Sequence, residues 1–220
     1  MIDYLIDIDK AALLAVNGTY SAFQDALWWM VSAKWSSLLL VLAMLWVLLR
    51  KNWRHAILVI AMLVLAVIIA DQVSSTIIKA LVERPRPTHD AEIQGAVHLV
   101  NGYRAGLYGF VSSHAANFFA VSTLVSLIFR SRLVAIPLYT WSLMQCYSRM
   151  YLGVHYPGDI IGGIAVGLLV GWFVWWIMKR IERYWRFSRP CYTRADAGVI
   201  ALSVIITVIV LPVVSLLMAW

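Results

Sequence analysis

Six apolar runs, separated by loops that alternate between strongly basic and weakly charged, leave few folds open to this chain. The runs cover residues 35–49, 55–81, 112–129, 133–150, 159–178 and 198–220. A helix needs about 20 apolar residues to cross a hydrocarbon layer, so the shorter runs must take in flanking residues or sit in thinned bilayer. Lipid offers nothing to a bare peptide group, so runs of this kind are expected to be helices. The chain is 62% hydrophobic and 13% charged, whereas a soluble domain is about 45–50% apolar. The expected architecture is therefore all-α: a six-transmembrane-helix bundle over 33–220, preceded by an N-terminal amphipathic interfacial helix over 1–32.

Charge placement orients the bundle. Arg50, Lys51 and Arg54 follow the first run. Arg130 and Arg132 follow the third. Lys179, Arg180, Arg183, Arg186, Arg189 and Arg194 follow the fifth. Those loops hold eleven of the eighteen Lys and Arg residues, which places them on the cytoplasmic side. Both termini and the loops 83–111 and 151–158 then face outward. The formal net charge of +7 is accounted for by topology and by an anionic substrate, and no nucleic-acid partner is implied. Cys146 lies in an apolar run and Cys191 in a basic loop, so no disulfide is expected.

In the first segment, Leu5, Ile8, Ala12 and Leu13 are read as one helix face, with Asp3, Asp7 and Lys10 on another. The start is acidic and lacks the basic opening of a secretory signal. Asn17-Gly18 signals a turn, and Trp28 and Trp29 suit an interface.

Three polar clusters remain, all on the outer side. The first holds Lys79, Arg84 and Arg86, with Pro85 and Pro87 stiffening the strand that carries Arg86. Cations this close repel one another unless an anion joins them, and the guanidinium fork suits phosphate oxygens. Taken alone, the cluster also reads as cations snorkelling from a helix end. The second is Ser112-Ser113-His114, where a capped helix N-terminus presents N–H groups to an anion and His114 is placed to donate a proton. Alone, it reads first as a capped helix with an interfacial histidine. The third runs from Ser148-Arg149 to His155 and Asp159. One helical turn apart, a carboxylate fixes one ring nitrogen of His155 and leaves the other as nucleophile. Asp159 also reads as the N-cap of the fifth run. Together the clusters supply two histidines, at least three cations and a carboxylate, the inventory for phosphoryl transfer through a phosphohistidine without a metal.

This pattern resembles the type 2 phosphatidic acid phosphatase superfamily, whose phosphate site is shared with vanadium haloperoxidases. Of its three motifs, K-x(6)-R-P is matched by Lys79, Arg86 and Pro87. S-R-x(5)-H-x(3)-D is matched in full by Ser148, Arg149, His155 and Asp159. P-S-G-H is matched by Ser112 and His114, with Val111 in place of Pro and Ser113 in place of Gly. The resemblance implies that His155 attacks phosphorus with support from Asp159. It implies that His114 protonates the leaving oxygen and later helps to activate water, and that Lys79, Arg86, Arg149, Ser112 and Ser113 hold the phosphate. It implies no cofactor and no metal. Arg84, Arg104 and Asn117 are further candidate substrate contacts, and residues 101–109 a candidate substrate entrance. Asp71 shares a face with Ser75 and Lys79 and is read as a structural contact. His89 and His98 are read as solvated loop residues.

The expected activity is a membrane lipid phosphatase of a bacterial inner membrane, with its active site facing the periplasm. The favoured substrates are a lipid A phosphate or undecaprenyl diphosphate, the alternatives phosphatidylglycerophosphate or phosphatidic acid. The expected partners are the lipid substrate and the bilayer, with no obligate protein partner. A transporter would need ionisable groups at mid-depth in several spans, and apart from Asp71 they are lacking. A non-catalytic lipid-binding protein would not need both histidines.

Overall fold

The protein was analysed as a computed structural model, which describes residues 2–185 and 190–218, without the side chains of Ile2 and Asp3. Arg186, Arg189, the Asp3 side chain and residues 219–220 of the last run lie outside the described residues. Nine α-helices follow in order among the described residues: α1 Ile2–Asn17, α2 Ala22–Ser32, α3 Leu38–Lys51, α4 Trp53–Asp71, α5 Lys79–Val82, α6 Ser113–Phe129, α7 Arg132–Tyr151, α8 Pro157–Tyr184 and α9 Arg194–Met218. The only strand-like pairing among them is the isolated Pro85–Tyr108 bridge.

By length and composition, Trp53–Val82, Pro157–Tyr184 and Arg194–Met218 are long and apolar enough to cross a membrane. The pair Ala22–Ser32 and Lys34–Lys51, bent by 64°, forms a fourth if taken as one span. Exposed leucines, isoleucines and tryptophans belt the outside of α3, α4 and α9, among them Leu42, Trp46, Val64, Ile68, Ile205 and Ile209. An apolar belt of this extent is at home in lipid, not in water.

α6 sits at the centre, packed by α4, α7 and α8. Its closest partner is α8, for a reason visible atom by atom. A Cβ added at Gly163 would stand 2.5 Å from the Ser112 carbonyl oxygen, at Gly167 2.5 Å from that of Ala116, and at Gly171 2.6 Å from that of Ala120. Glycines four apart thus let the two backbones meet, the small-residue packing that lipid favours because it offers no hydrophobic drive between helices. Gly167→Ala is expected to cost about 1–3 kcal/mol through overpacking, read as a lower melting midpoint in detergent. Gly198→Ala, where an added Cβ meets nothing within 4 Å, is expected to leave the midpoint in place.

α4 does not stop at Asp71. It continues through a π-helical stretch, Gln72–Ile78, into α5. π-Bulges insert a residue into the turn and re-aim the side chains beyond it, and here those include Lys79. At the other end of the bundle, Lys51 pairs with Asp196 at 2.8 Å and His55 with Glu182 at 2.9 Å. Helix α8 runs past residue 178, so Lys179, Arg180 and Arg183 lie on its last turns, where cations suit the helix dipole. α9 begins at Arg194, ahead of Gly198, because Thr193 and Asp196 cap each other's backbone at 3.3 and 2.7 Å.

The first segment is two helices, broken after Asn17. α1 turns Asp9, Lys10 and Asn17 toward the bundle and leaves Asp7 exposed. Asn17 donates to the carbonyls of Tyr151 at 2.7 Å and His98 at 3.0 Å and accepts from His98 N–H at 2.7 Å. Lys10 pairs with Asp90 at 3.5 Å. Leu13 is fully buried beside Tyr156, Ile93 and Val97, while Leu5 and Ile8 are exposed, so Leu13 stands on the packed side and not with them. His98, read as solvated, stacks on Tyr20 at 3.7 Å and meets Asp25 at 3.0 Å.

Candidate active site

The polar clusters converge where α5, α6, α7 and α8 end on one rim. Residues 84–86 and 107–109 pair in an extended manner, with Arg86 N–H to the Leu107 carbonyl and Gly109 N–H to the Arg84 carbonyl, both at 2.9 Å. This pairing and the flanking prolines hold Arg86 rigidly. Its Nε donates to the Tyr108 carbonyl at 3.0 Å, and Nη1 donates to the Val154 carbonyl at 3.0 Å and to His155 Nε2 at 2.9 Å.

His155 lies in the short turn between α7 and α8, almost wholly buried. Since Arg86 can only donate, Nε2 accepts, and the ring proton sits on Nδ1, which faces Asp159 Oδ2 at 3.2 Å. The same Asp159 oxygen accepts the Tyr156 N–H at 3.1 Å, so this carboxylate both closes the first turn of α8 and orients the imidazole. Burial, then the charges of Arg86, Arg149 and Lys79, hold the His155 imidazole well below the ordinary histidine range. The ring is therefore neutral at physiological pH, with a lone pair on Nε2. Gly109 leaves room for this arrangement: an added Cβ would stand 2.8 Å from Asp159 Oδ2.

Ser112 caps α6, its hydroxyl accepting from the Ala115 N–H at 3.5 Å, and its own N–H donates to the Asp159 carbonyl at 2.9 Å. The second and third clusters are thereby joined. Ser113 stands where the motif has glycine, and its hydroxyl is engaged: Lys79 Nζ donates to it at 2.8 Å and Ser75 Oγ lies 2.7 Å away. Ser75 in turn reaches Asp71 at 3.2 Å. The π-helical stretch brings this chain of four residues into line.

His114 shares a cavity of about 270 Å³ with Arg149, Trp29, Ser32, Lys34 and Tyr103. Arg149 Nη1 donates to Ser32 Oγ, and Nη2 reaches the Tyr103 hydroxyl at 3.4 Å. His114 lies within electrostatic reach of Arg149, His155, Arg86 and Lys79, so both imidazoles share one rim. A second cavity, about 410 Å³, is lined by Ser75, Lys79, Glu83, Arg86 and Tyr108 among others.

Other expected contacts stand apart. Arg84 faces carboxylates: Asp9 at 2.7 Å and Asp159 at 3.3 Å. Arg104 is exposed and tied to the Thr88 carbonyl at 3.4 Å. Asn117 lines a largely apolar cavity between α3, α4, α6 and α7, and its Oδ1 has no hydrogen-bond partner among the described residues. Ser148 is turned into its own helix, donating to the Gln145 carbonyl at 2.6 Å. Asp9 and Ser32 were not singled out by the sequence, since each reaches the site across a long sequence separation that no local pattern encodes, whereas Tyr103 falls in the 101–109 segment read as a candidate entrance. Among the described residues, no group of three His, Cys, Asp or Glu side chains is placed to hold a metal.

Comparisons with known proteins bear on the family and the fold. Residues 57–183 match the model of the PAP2 superfamily. The chain is 35% identical over 189 residues to a lipid A 4'-phosphatase of Porphyromonas gingivalis, covering 83% of this chain and 78% of that one. It is 32% identical over 197 residues to a lipid A 4'-phosphatase of Bacteroides thetaiotaomicron, covering 86% and 85%. Among solved structures, a transmembrane PAP2-type phosphatidylglycerolphosphate phosphatase from Bacillus subtilis has the same fold, with a TM-score of 0.63 at 18% identity over 82% of this chain and 89% of that one.

Proposed function

Because this chain belongs to the PAP2 superfamily of membrane lipid phosphatases, we propose that it removes phosphate from a lipid A-type glycolipid through a phosphohistidine on His155. The observation that carries the mechanism is the line Asp159–His155–Arg86, which leaves the proton on Nδ1 and the lone pair on Nε2.

Lys79, Arg86, Arg149, Ser112 and Ser113 hold the phosphoryl oxygens. On binding, phosphate takes over the Arg86 donor that otherwise rests on Nε2. His155 Nε2 then attacks phosphorus. The N–P bond forms, the P–O bond to the lipid breaks, and its electron pair leaves on the lipid oxygen, which takes a proton from His114. Asp159 holds Nδ1–H and balances the charge that the ring gains. In the second half, His114 accepts a proton from water, the oxygen attacks phosphorus, the N–P bond breaks and inorganic phosphate departs. The cations are fixed before reaction, so stabilising the transition-state charge costs little reorganisation.

A glycolipid is favoured over a diacylglycerol phosphate by the wall beside His114. Trp29 and Tyr103 meet edge to face with centroids 5.7 Å apart, a polar-rimmed aromatic surface suited to a sugar leaving group, with Lys34 at its edge. The similarity to two lipid A 4'-phosphatases supports the same reading.

We also read the bundle as six spans, with the α2–α3 pair, α4 to α5, α6, α7, α8 and α9 each crossing once. The basic helix ends lie at one side and the phosphate site at the other, which supports a periplasmic active site in a bacterial inner membrane. α1, with Tyr4, Leu5 and Ile8 exposed, is read as lying in the interface.

The test is phosphate release by purified protein in detergent from four substrates: bis-phosphorylated lipid A, undecaprenyl diphosphate, phosphatidylglycerophosphate and phosphatidate. Lipid A is expected to be the best substrate, with turnover unchanged by EDTA and inhibited by vanadate, a mimic of pentacoordinate phosphorus. Indifference to vanadate together with loss of activity in EDTA refutes the mechanism. A preference for another lipid refutes the substrate assignment alone.

A further inference from the structure

The Asp159 carboxylate has two competing neighbours. One oxygen faces His155 Nδ1 at 3.2 Å, and the other faces Arg84 Nη1 at 3.3 Å. An arginine closing fully onto that carboxylate would pull it from the imidazole and drain the charge that balances the ring during attack. What holds Arg84 back is a residue of α1. Asp9 Oδ2 pairs with Arg84 Nη2 at 2.7 Å, the shorter of the two ion pairs, and the guanidinium lies over the Tyr156 ring at 4.0 Å.

The second oxygen of Asp9 accepts the Gly158 N–H at 2.7 Å. That N–H belongs to the first turn of α8, where donors have no partner within the helix. A carboxylate from another helix thus caps the helix that carries Asp159. Room for it is made by a missing side chain, since a Cβ at Gly158 would stand 2.8 Å from Asp9 Oδ2. The neighbouring residue of α1 tightens the same corner: Lys10 pairs with Asp90, and Asp90 accepts the Tyr156 hydroxyl at 2.7 Å. Stability alone is a weak reason for the pair, because partly exposed ion pairs contribute little.

We propose that Asp9 is a positioning residue for phosphoryl transfer, holding Arg84 off Asp159 and fixing the first turn of α8 so that Asp159 faces His155. The inference rests on the reading of His155 as nucleophile. It makes α1 part of the enzyme's machinery as well as its membrane surface.

The experiment uses the full chain in detergent and one lipid phosphate substrate. Asp9→Asn keeps an oxygen for the Gly158 N–H and removes the charge on Arg84. kcat is expected to fall about 10- to 100-fold with KM within about twofold, the mark of misplaced reacting groups and not of lost binding. In an Arg84→Gln background the same substitution is expected to change kcat by less than about threefold, since the two act through one contact. Gly158→Ala, which displaces the Asp9 carboxylate with every charge retained, is expected to lower kcat to a similar extent. A wild-type kcat in Asp9→Asn, or an equal loss in both backgrounds, overturns the inference. If Asp9→Asn does not fold, Gly158→Ala decides, and a wild-type kcat there overturns it. His155→Ala is measured alongside. Activity surviving in that variant removes the nucleophile reading and this inference with it. A dead His155→Ala beside an unaffected Asp9→Asn removes this inference alone.

Discussion

His155→Ala is expected to lower kcat by at least about 10⁴-fold, roughly 5 kcal/mol of transition-state stabilisation. The side chain supplies the atom that bonds to phosphorus, and none of the side chains that touch it can replace that atom. Arg86 and Lys79 are cations with no lone pair to offer, and Asp159 is turned toward Nδ1 and the Tyr156 N–H. Substrate binding should change far less, because the phosphate cations remain. The loss therefore falls on kcat, and a brief incubation with labelled substrate followed by denaturation should leave no label on the protein, whereas wild type carries it on histidine. The imidazole is buried, so its removal also opens a cavity. His155→Gln, closer in bulk, separates the two effects: it should be as inactive with a melting midpoint nearer wild type. Wild-type turnover in either variant rules out the covalent route.

Arg86→Ala is expected to cost about 10³-fold in kcat/KM, near 4 kcal/mol. The guanidinium touches the Tyr108 and Val154 carbonyls and His155 Nε2 at once. Alanine removes a phosphate cation and the tie between two loops together. Arg86→Lys restores charge but not the planar fork, and one ammonium cannot span both carbonyls and the phosphate. It should recover no more than about tenfold of the loss. Recovery to near wild type would mean that charge alone matters there and that the fixed geometry is incidental. Steady-state kinetics on the preferred lipid, with a thermal melt for each variant, distinguishes these outcomes.

How far the sequence revealed this site depended on distance along the chain. Lys79 and Arg86, Ser112 and His114, and Arg149, His155 and Asp159 each fall within a short segment, and short segments carry spacing. The all-helical class and its long apolar helices were legible for the same reason, since apolar runs are local. The contacts of α1 were not. Asp9 meets Arg84 and Gly158 far along the chain, and its helix was read with its charges toward water, as amphipathic segments usually lie. Asp9, Lys10 and Asn17 instead pack on the loops that carry the site, while Asp7 stays exposed. The π-helical stretch had no signal either, because the β-branched residues and serines of Gln72–Ile78 weaken a helix without specifying a π-turn. Other features were legible but passed over. Gly163, Gly167 and Gly171 recur every fourth residue, and Thr193-x-x-Asp196 is the pattern of a capped helix start. Ser113 in place of glycine looked like a flaw in a motif, yet its hydroxyl is what Lys79 rests on.

The seam between α6 and α8 has a geographic consequence for anything that drifts through the bilayer. Where two backbones touch, no hydrocarbon tail can wedge, so that flank is a blank wall to an arriving lipid. Away from that seam, between α3, α4, α6 and α7, lies a greasy recess of about 200 Å³ that begins one helical turn below His114, at Asn117. An acyl chain meeting the bundle is therefore expected to find room at this recess and none along the α6–α8 seam.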